Sequence, residues 1–147
     1  MLAAESVPED VRWRALDRLT KSDWLARGRF DGVDYVWPAD ERPEVEAPAR
    51  ARLLAPFDPL VWDRRRFAHL WGWDYRFEAY TPPAKRRYGY YALPLLWRDR
   101  VIGWANVTHQ GGPLATDIGY AGKKPRGRAF MCALDCELEL LAGALAR

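Results

Sequence analysis

Three short runs combine cations with residues able to organise them: Arg64-Arg65-Arg66, Lys85-Arg86-Arg87-Tyr88 and Gly122-Lys123-Lys124-Pro125-Arg126-Gly127-Arg128. Guanidinium and ammonium groups neutralise phosphates, and aromatic rings stack on bases that have left the duplex, so the combination suits a nucleic-acid surface. The charge balance isolates this region. Residues 64–128 carry 13 Lys/Arg against 4 Asp/Glu, whereas residues 1–63 carry 9 against 13 and residues 129–147 carry 1 against 3. The formal total of +3 thus conceals a basic block, whose sign fits a polyanion or an acidic protein partner. The candidate contact residues are Arg64, Arg65, Arg66, Lys85, Arg86, Arg87, Tyr88, Lys123, Lys124, Arg126 and Arg128. Tyr88 has two possible roles, stacking on an unpaired base or filling the core, and the core is favoured.

A rigidly placed carboxylate is the other chemical lead. Pro56 and Pro59 restrict the backbone around Phe57-Asp58, so Asp58 has a fixed position from which it could orient a water. The competing and favoured role is structural, with Asp58 accepting from nearby amides to hold the turn. No phosphate loop, dinucleotide fingerprint, HExxH helix or nucleophile-elbow serine occurs, and neither His69 nor His109 has an evident catalytic neighbour. Cys132 and Cys136 stand four apart on an expected helix, poorly spaced for a disulfide and too few for a metal. No metal, cofactor or catalytic residue is assigned.

The elements that must position these residues follow from pattern and punctuation. Ser6 as cap, Pro8, Glu9 and Asp10 open a helix with a Val11, Ala15, Leu16, Leu19 stripe. A short second helix is expected over Ser22–Arg27 with Gly28 as its C-cap, then a hairpin over Arg29–Trp37 turning at Asp31-Gly32. Helix, helix, hairpin is a winged-helix-like unit over residues 1–40, and the proline-rich, acidic stretch 41–52 reads as a linker. Residues 53–147 then form an antiparallel sheet or barrel-like domain closed by a C-terminal helix, making the chain α+β. Asp63 caps a helix over Arg64–Trp71 that Gly72 ends. Trp73–Tyr80 alternates like a strand with one buried face. Tyr90–Trp97 and Val101–Thr108 form a hairpin so apolar that it should be covered on both faces or closed into a barrel. A turn over 108–112, a fourth strand over Leu114–Tyr120 and a helix with a Phe130, Leu134, Leu138, Leu141, Leu145 stripe complete the domain.

An apolar fraction of 49% with eight Trp indicates a globular chain, and no apolar run approaches the ~20 residues of a membrane span. The acidic N-terminus is unlike an export signal, which makes the cytoplasm the expected compartment.

The stretch from Leu53 to Asn106, above all LLAPFDPLVWDRRR, WGWDYRFEAYTPPAKRRYGYYALPLLW and RVIGWANV, resembles the C-terminal part of the YcaQ/AlkZ-like winged-helix DNA glycosylases, the crosslink-repair glycosylases. The likeness continues more loosely through GYAGKKPRGRAF and the last helix, and the first 40 residues resemble the end of a winged-helix unit. It implies tandem winged-helix units followed by a barrel-like domain, DNA as partner, hydrolysis of the N-glycosidic bond of alkylated or crosslinked bases, and no cofactor. The family's catalytic pair, a glutamine followed two residues later by glutamine or aspartate, is not in this chain: Gln110, its one glutamine, precedes Gly111-Gly112. The expectation is a DNA-binding module related to these enzymes that lacks the catalytic N-terminal half, either a C-terminal fragment of a longer glycosylase or a truncated stand-alone relative, with a separate N-terminal glycosylase half as a candidate partner. The alternatives are an active glycosylase using Asp58 and a protein-interaction domain with a basic face.

Overall fold

The computed structural model describes residues 8–41, 46–109 and 114–146, and the backbone divides into two compact units, Met1–Glu46 and Ala47–Arg147.

In the first unit, α1 (Glu9–Lys21) starts after Pro8, with Glu9 and Asp10 in its first turn and Arg18 and Lys21 in its last, each complementing the helix dipole. Ser6, the expected cap, lies outside the described residues. Strands β1 (Leu25–Phe30) and β2 (Val33–Pro38) pair antiparallel. Asp31 and Gly32 both have positive φ, 46° and 83°, as a two-residue type I′ hairpin requires. The expected helix over Ser22–Arg27 does not form. Asp23 turns the chain with φ 58°, and the backbone groups from Leu25 onward are taken by the ladder with β2. Gly28 is therefore a strand residue beneath the Trp37 ring, where a Cβ would come within 2.7 Å of the indole. Among the described residues this unit supplies one helix and a hairpin, less than a full winged helix.

The second unit is a four-stranded antiparallel sheet in the order β3 (Ala51–Leu53), β4 (Ala92–Trp97), β5 (Arg100–Thr108), β6 (Ala115–Tyr120). It does not close into a barrel among the described residues. Instead both faces are covered, which accounts for the near-continuous apolar run of β4 and β5. One face packs Leu54, Val61, Phe67, Tyr75 and Val101 together with Trp71, Trp73 and Leu96. The other packs Ala51 and Leu95 against Phe130 and Leu134 of α4 (Arg128–Leu145). A register shift at Leu95/Leu96 leaves Ile102 without a partner on β4. Alternation along β5 is reset there, so that Ile102 joins the α4 face while Trp104 packs on Trp73 of the opposite one. The α4 stripe is core in its first half and fades toward Leu145, which is 50% exposed.

Between β3 and β4 lie α2 (Pro59–Trp62) and α3 (Arg64–Trp71). Asp63 accepts from Arg65 N and Arg66 N at 3.1 Å, and Gly72 closes α3 in the left-handed conformation with φ 65°, as the capping signals predict. The expected strand Trp73–Tyr80 is not one. The position beside β4 that it would need belongs to β3, and the segment crosses the α3 side of the sheet without a ladder. Its alternation serves packing: Tyr75 is buried with its hydroxyl donating to Ala92 O at 2.7 Å. Burial, with Tyr91 and Glu78 nearby, raises the Tyr75 phenol well above its ordinary pKa.

Candidate nucleic-acid interface

The loop between Tyr80 and Tyr90 is built around an anion. Pro82-Pro83 lead into a single 3₁₀ turn, Pro83–Lys85, and the chain then wraps over the buried carboxylate of Glu78. That carboxylate accepts from the backbone N–H of Arg87 at 2.9 Å, of Tyr88 at 2.7 Å and of Gly89 at 3.3 Å. Burial pushes the Glu78 pKa up, but these three donors and the Arg86 charge more than offset it, so the group ionises below its ordinary range. Gly89 is needed for the exit: its φ is +126°, and a Cβ there would lie 2.3 Å from the Asn106 amide oxygen. Asn106 Nδ2 in turn donates to Tyr88 O at 2.7 Å.

These contacts sort the loop's side chains. Lys85 and Arg87 are exposed, whereas Arg86 is half-buried, with Nε donating to Thr81 O at 2.8 Å and its guanidinium 5.0 Å from the Tyr90 ring centroid. Tyr88 is core. Its ring sits edge-on to Trp73 and Trp104, and its hydroxyl accepts from Trp73 Nε1 at 2.7 Å. A buried, hydrogen-bonded phenol cannot stack on a base, so Tyr88 leaves the set of contact residues.

An aromatic patch adjoins both ends of the loop. Phe77 packs on Tyr80, where the loop begins, at 6.3 Å, and on Tyr91, just past its end, at 5.0 Å. Phe57 approaches the same ring at 6.3 Å. With Trp62 and Arg64, Phe57, Phe77 and Tyr80 line a cavity of about 270 Å³. The register explains the convergence: β3 runs antiparallel to β4, so the chain leaving β3 toward Phe57 and the chain entering β4 at Ala92 share one end of the sheet.

Arg64 and Arg65 are exposed, Arg64 on the rim of that cavity. Arg66 is turned inward and donates from Nη2 to Pro59 O, so its charge serves the α2–α3 junction. Asp58 caps α2, accepting from Leu60 N at 2.8 Å, which is the structural role favoured by its turn. Lys123, Lys124 and Arg126 share a separate shallow pocket, with Lys124 5.7 Å from the Tyr120 ring centroid, and Arg128 opens α4. This third cluster follows β6, whose last residue pairs with Gly103. It therefore departs from the end of the sheet opposite to that where the chain enters β4 at Ala92. Two of the three clusters thus flank one aromatic patch, and the third does not. Cys132 and Cys136 are exposed free thiols, and among the described residues no group of His, Cys, Asp and Glu could hold a metal ion.

Comparison with known families bears on the chain as a whole. A model of the DNA glycosylase AlkZ-like family matches residues 7–144. The chain belongs to the AlkZ-like DNA glycosylase family. Membership relates it to DNA-repair glycosylases and makes DNA the partner its family implies. The match spans both units of this AlkZ-like chain. No solved structure matches the chain. No described helix is long and apolar enough to cross a membrane.

Sequence reasoning missed Glu78 and the patch of Phe57, Trp62, Phe77 and Tyr80. Glu78 gave no local signal because the amides it binds lie beyond two prolines, and Phe57 and Trp62 flank the more conspicuous Asp58.

Proposed function

We propose that this chain is the DNA-gripping module of an AlkZ-like glycosylase, binding the DNA backbone through Arg64, Arg65, Lys85 and Arg87, with Lys123, Lys124, Arg126 and Arg128 as a second contact. The observation that carries the proposal is the Glu78-anchored loop, which holds Lys85 and Arg87 outward beside exposed aromatic rings. A cation fixed on a rigid loop loses less freedom on meeting a phosphate than one on a mobile tail. We read the helix and hairpin of the first unit as the end of a winged-helix unit, and the cytoplasm as the site of action. Excision of an alkylated or crosslinked base is assigned to the family's glutamine pair, supplied from outside this sequence. Asp58, engaged as a helix cap, is not assigned a catalytic role.

The test is a salt titration of DNA binding joined to a base-release assay. The chain should bind duplex DNA with little sequence preference. If about 4 to 6 phosphates are neutralised, log affinity should fall against log salt with a slope of roughly −4 to −5. It should release no alkylated base above the uncatalysed rate. A flat titration favours the protein-interaction reading, and excision abolished by Asp58→Asn with binding intact would establish Asp58 as catalytic.

A further inference from the structure

We propose that the cavity lined by Phe57, Trp62, Phe77 and Tyr80 is a seat for one unpaired nucleobase of DNA, with the neighbouring phosphates held by Arg64 and the Lys85–Arg87 loop. This deepens the DNA-gripping reading and rests on it. Phe57 and Trp62 are each 75% exposed and Tyr80 is 93% exposed, although large rings of this kind gain most from burial. Aromatic surface left open and contiguous marks a binding site more often than it marks idle surface. Phe57 and Tyr80 meet Phe77 tilted and edge-to-face, at interplanar angles of 59° and 83°, and not stacked in parallel, and their exposure leaves ring surface open to a planar guest.

Size and charge select that guest. The volume of about 270 Å³ falls just below the range of drug-sized ligand sites, room for a ring system but not for a folded partner's surface. Among the described residues its lining includes Arg64 and no carboxylate. Phe77 links the cavity through Tyr80 and Tyr91 to both ends of the loop bearing Lys85 and Arg87. A planar aromatic group joined on both sides to anions is what this arrangement complements, and a nucleotide extruded from DNA is such a group. The competing occupant is an acidic peptide presenting an apolar side chain.

The experiment compares the intact chain on a paired duplex and on the same duplex carrying one bulged 2-aminopurine, reading affinity by anisotropy of a label on the DNA. Wild type should bind the bulged duplex more tightly and quench the 2-aminopurine fluorescence by stacking. Trp62→Ala and Tyr80→Ala should each weaken binding of the bulged duplex about ten-fold, with paired-duplex affinity, salt slope and melting temperature unchanged. Trp62→Leu, which keeps apolar bulk without a π face, should behave like Trp62→Ala and guards against a loss caused by misfolding. Equal wild-type affinity for the two duplexes, or variants that keep both the preference and the quenching, would overturn the inference while leaving the DNA-gripping reading intact. Failure to bind either duplex at low salt would overturn both, and points to the acidic peptide.

Discussion

A buried carboxylate is costly unless its oxygens are satisfied, and Glu78 meets that condition with the backbone amides of Arg87, Tyr88 and Gly89. The arrangement ties the basic loop to the segment that precedes it by a single side chain. Glu78→Gln would place an amide donor among groups that need an acceptor, at a cost of about 1–3 kcal/mol. The pH dependence has a definite sign. Because the folded pKa lies below the ordinary value of 4.5, the stabilisation is fully present above that value and is lost as pH falls through the lower folded one. Melting temperatures of wild type and Glu78→Gln should therefore differ at neutral pH and converge in acid below about pH 4.5. A gap that persists unchanged into acid would show that the ionised form is not what holds the loop.

Among the elements, α3 and its caps were the most legible in the sequence, because Asp63 and Gly72 act within a few residues of the helix they bound. The β4–β5 hairpin and the first half of the α4 stripe were legible for the same reason, since each is written in local periodicity. What escaped was settled by partners distant in sequence. The three residues of β3 sit among prolines and become a strand only by pairing with β4, with Leu53 N also donating to Glu137 of α4 at 2.8 Å. Trp73–Tyr80 carries the alternation of a strand and loses the ladder to β3, its rings being spent on the core and the surface patch. The helix expected over Ser22–Arg27 fell to a hairpin whose pairing no local window contains. At the site, the fixed turn at Asp58 and the core role of Tyr88 were readable, whereas the convergence of Phe57 with Phe77 depends on β3 and was not. The capping account is open to a direct measurement. Asp63→Ala should lower stability by about 0.5–2 kcal/mol in denaturant titrations, while Asp63→Asn should retain most of it. An Ala variant as stable as wild type would mean that Phe67 packing alone fixes the start of α3.

At the scale of the molecule, cations that look equivalent in sequence are separated by what their side chains already hold. Lys85 and Arg87 are exposed, Arg87 with its guanidinium 5.2 Å from the Tyr88 ring centroid, while Arg86 is half-buried, donates to Thr81 O and lies over Tyr90. Log affinity should therefore respond unevenly across the loop. Lys85→Ala and Arg87→Ala should each reduce the magnitude of the salt slope by roughly one unit, the signature of one lost phosphate contact. Their melting temperatures should stay near wild type because exposed charges contribute little to folding. Arg86→Ala should do the reverse, lowering the melting temperature by loss of a hydrogen bond and a cation–π contact and leaving the slope of the folded fraction nearly unchanged. Lys123 and Lys124 follow β6 where the chain leaves the end of the sheet opposite to the loop, so the double variant Lys123→Ala/Lys124→Ala should add its effect to that of Arg87→Ala independently. Slopes and melting temperatures measured on wild type, these four variants and the combination of the double variant with Arg87→Ala check the whole pattern. If Arg86→Ala lowers the slope as much as Arg87→Ala does, the guanidinium leaves Thr81 to meet DNA, and the loop is an adaptable contact instead of a preorganised one.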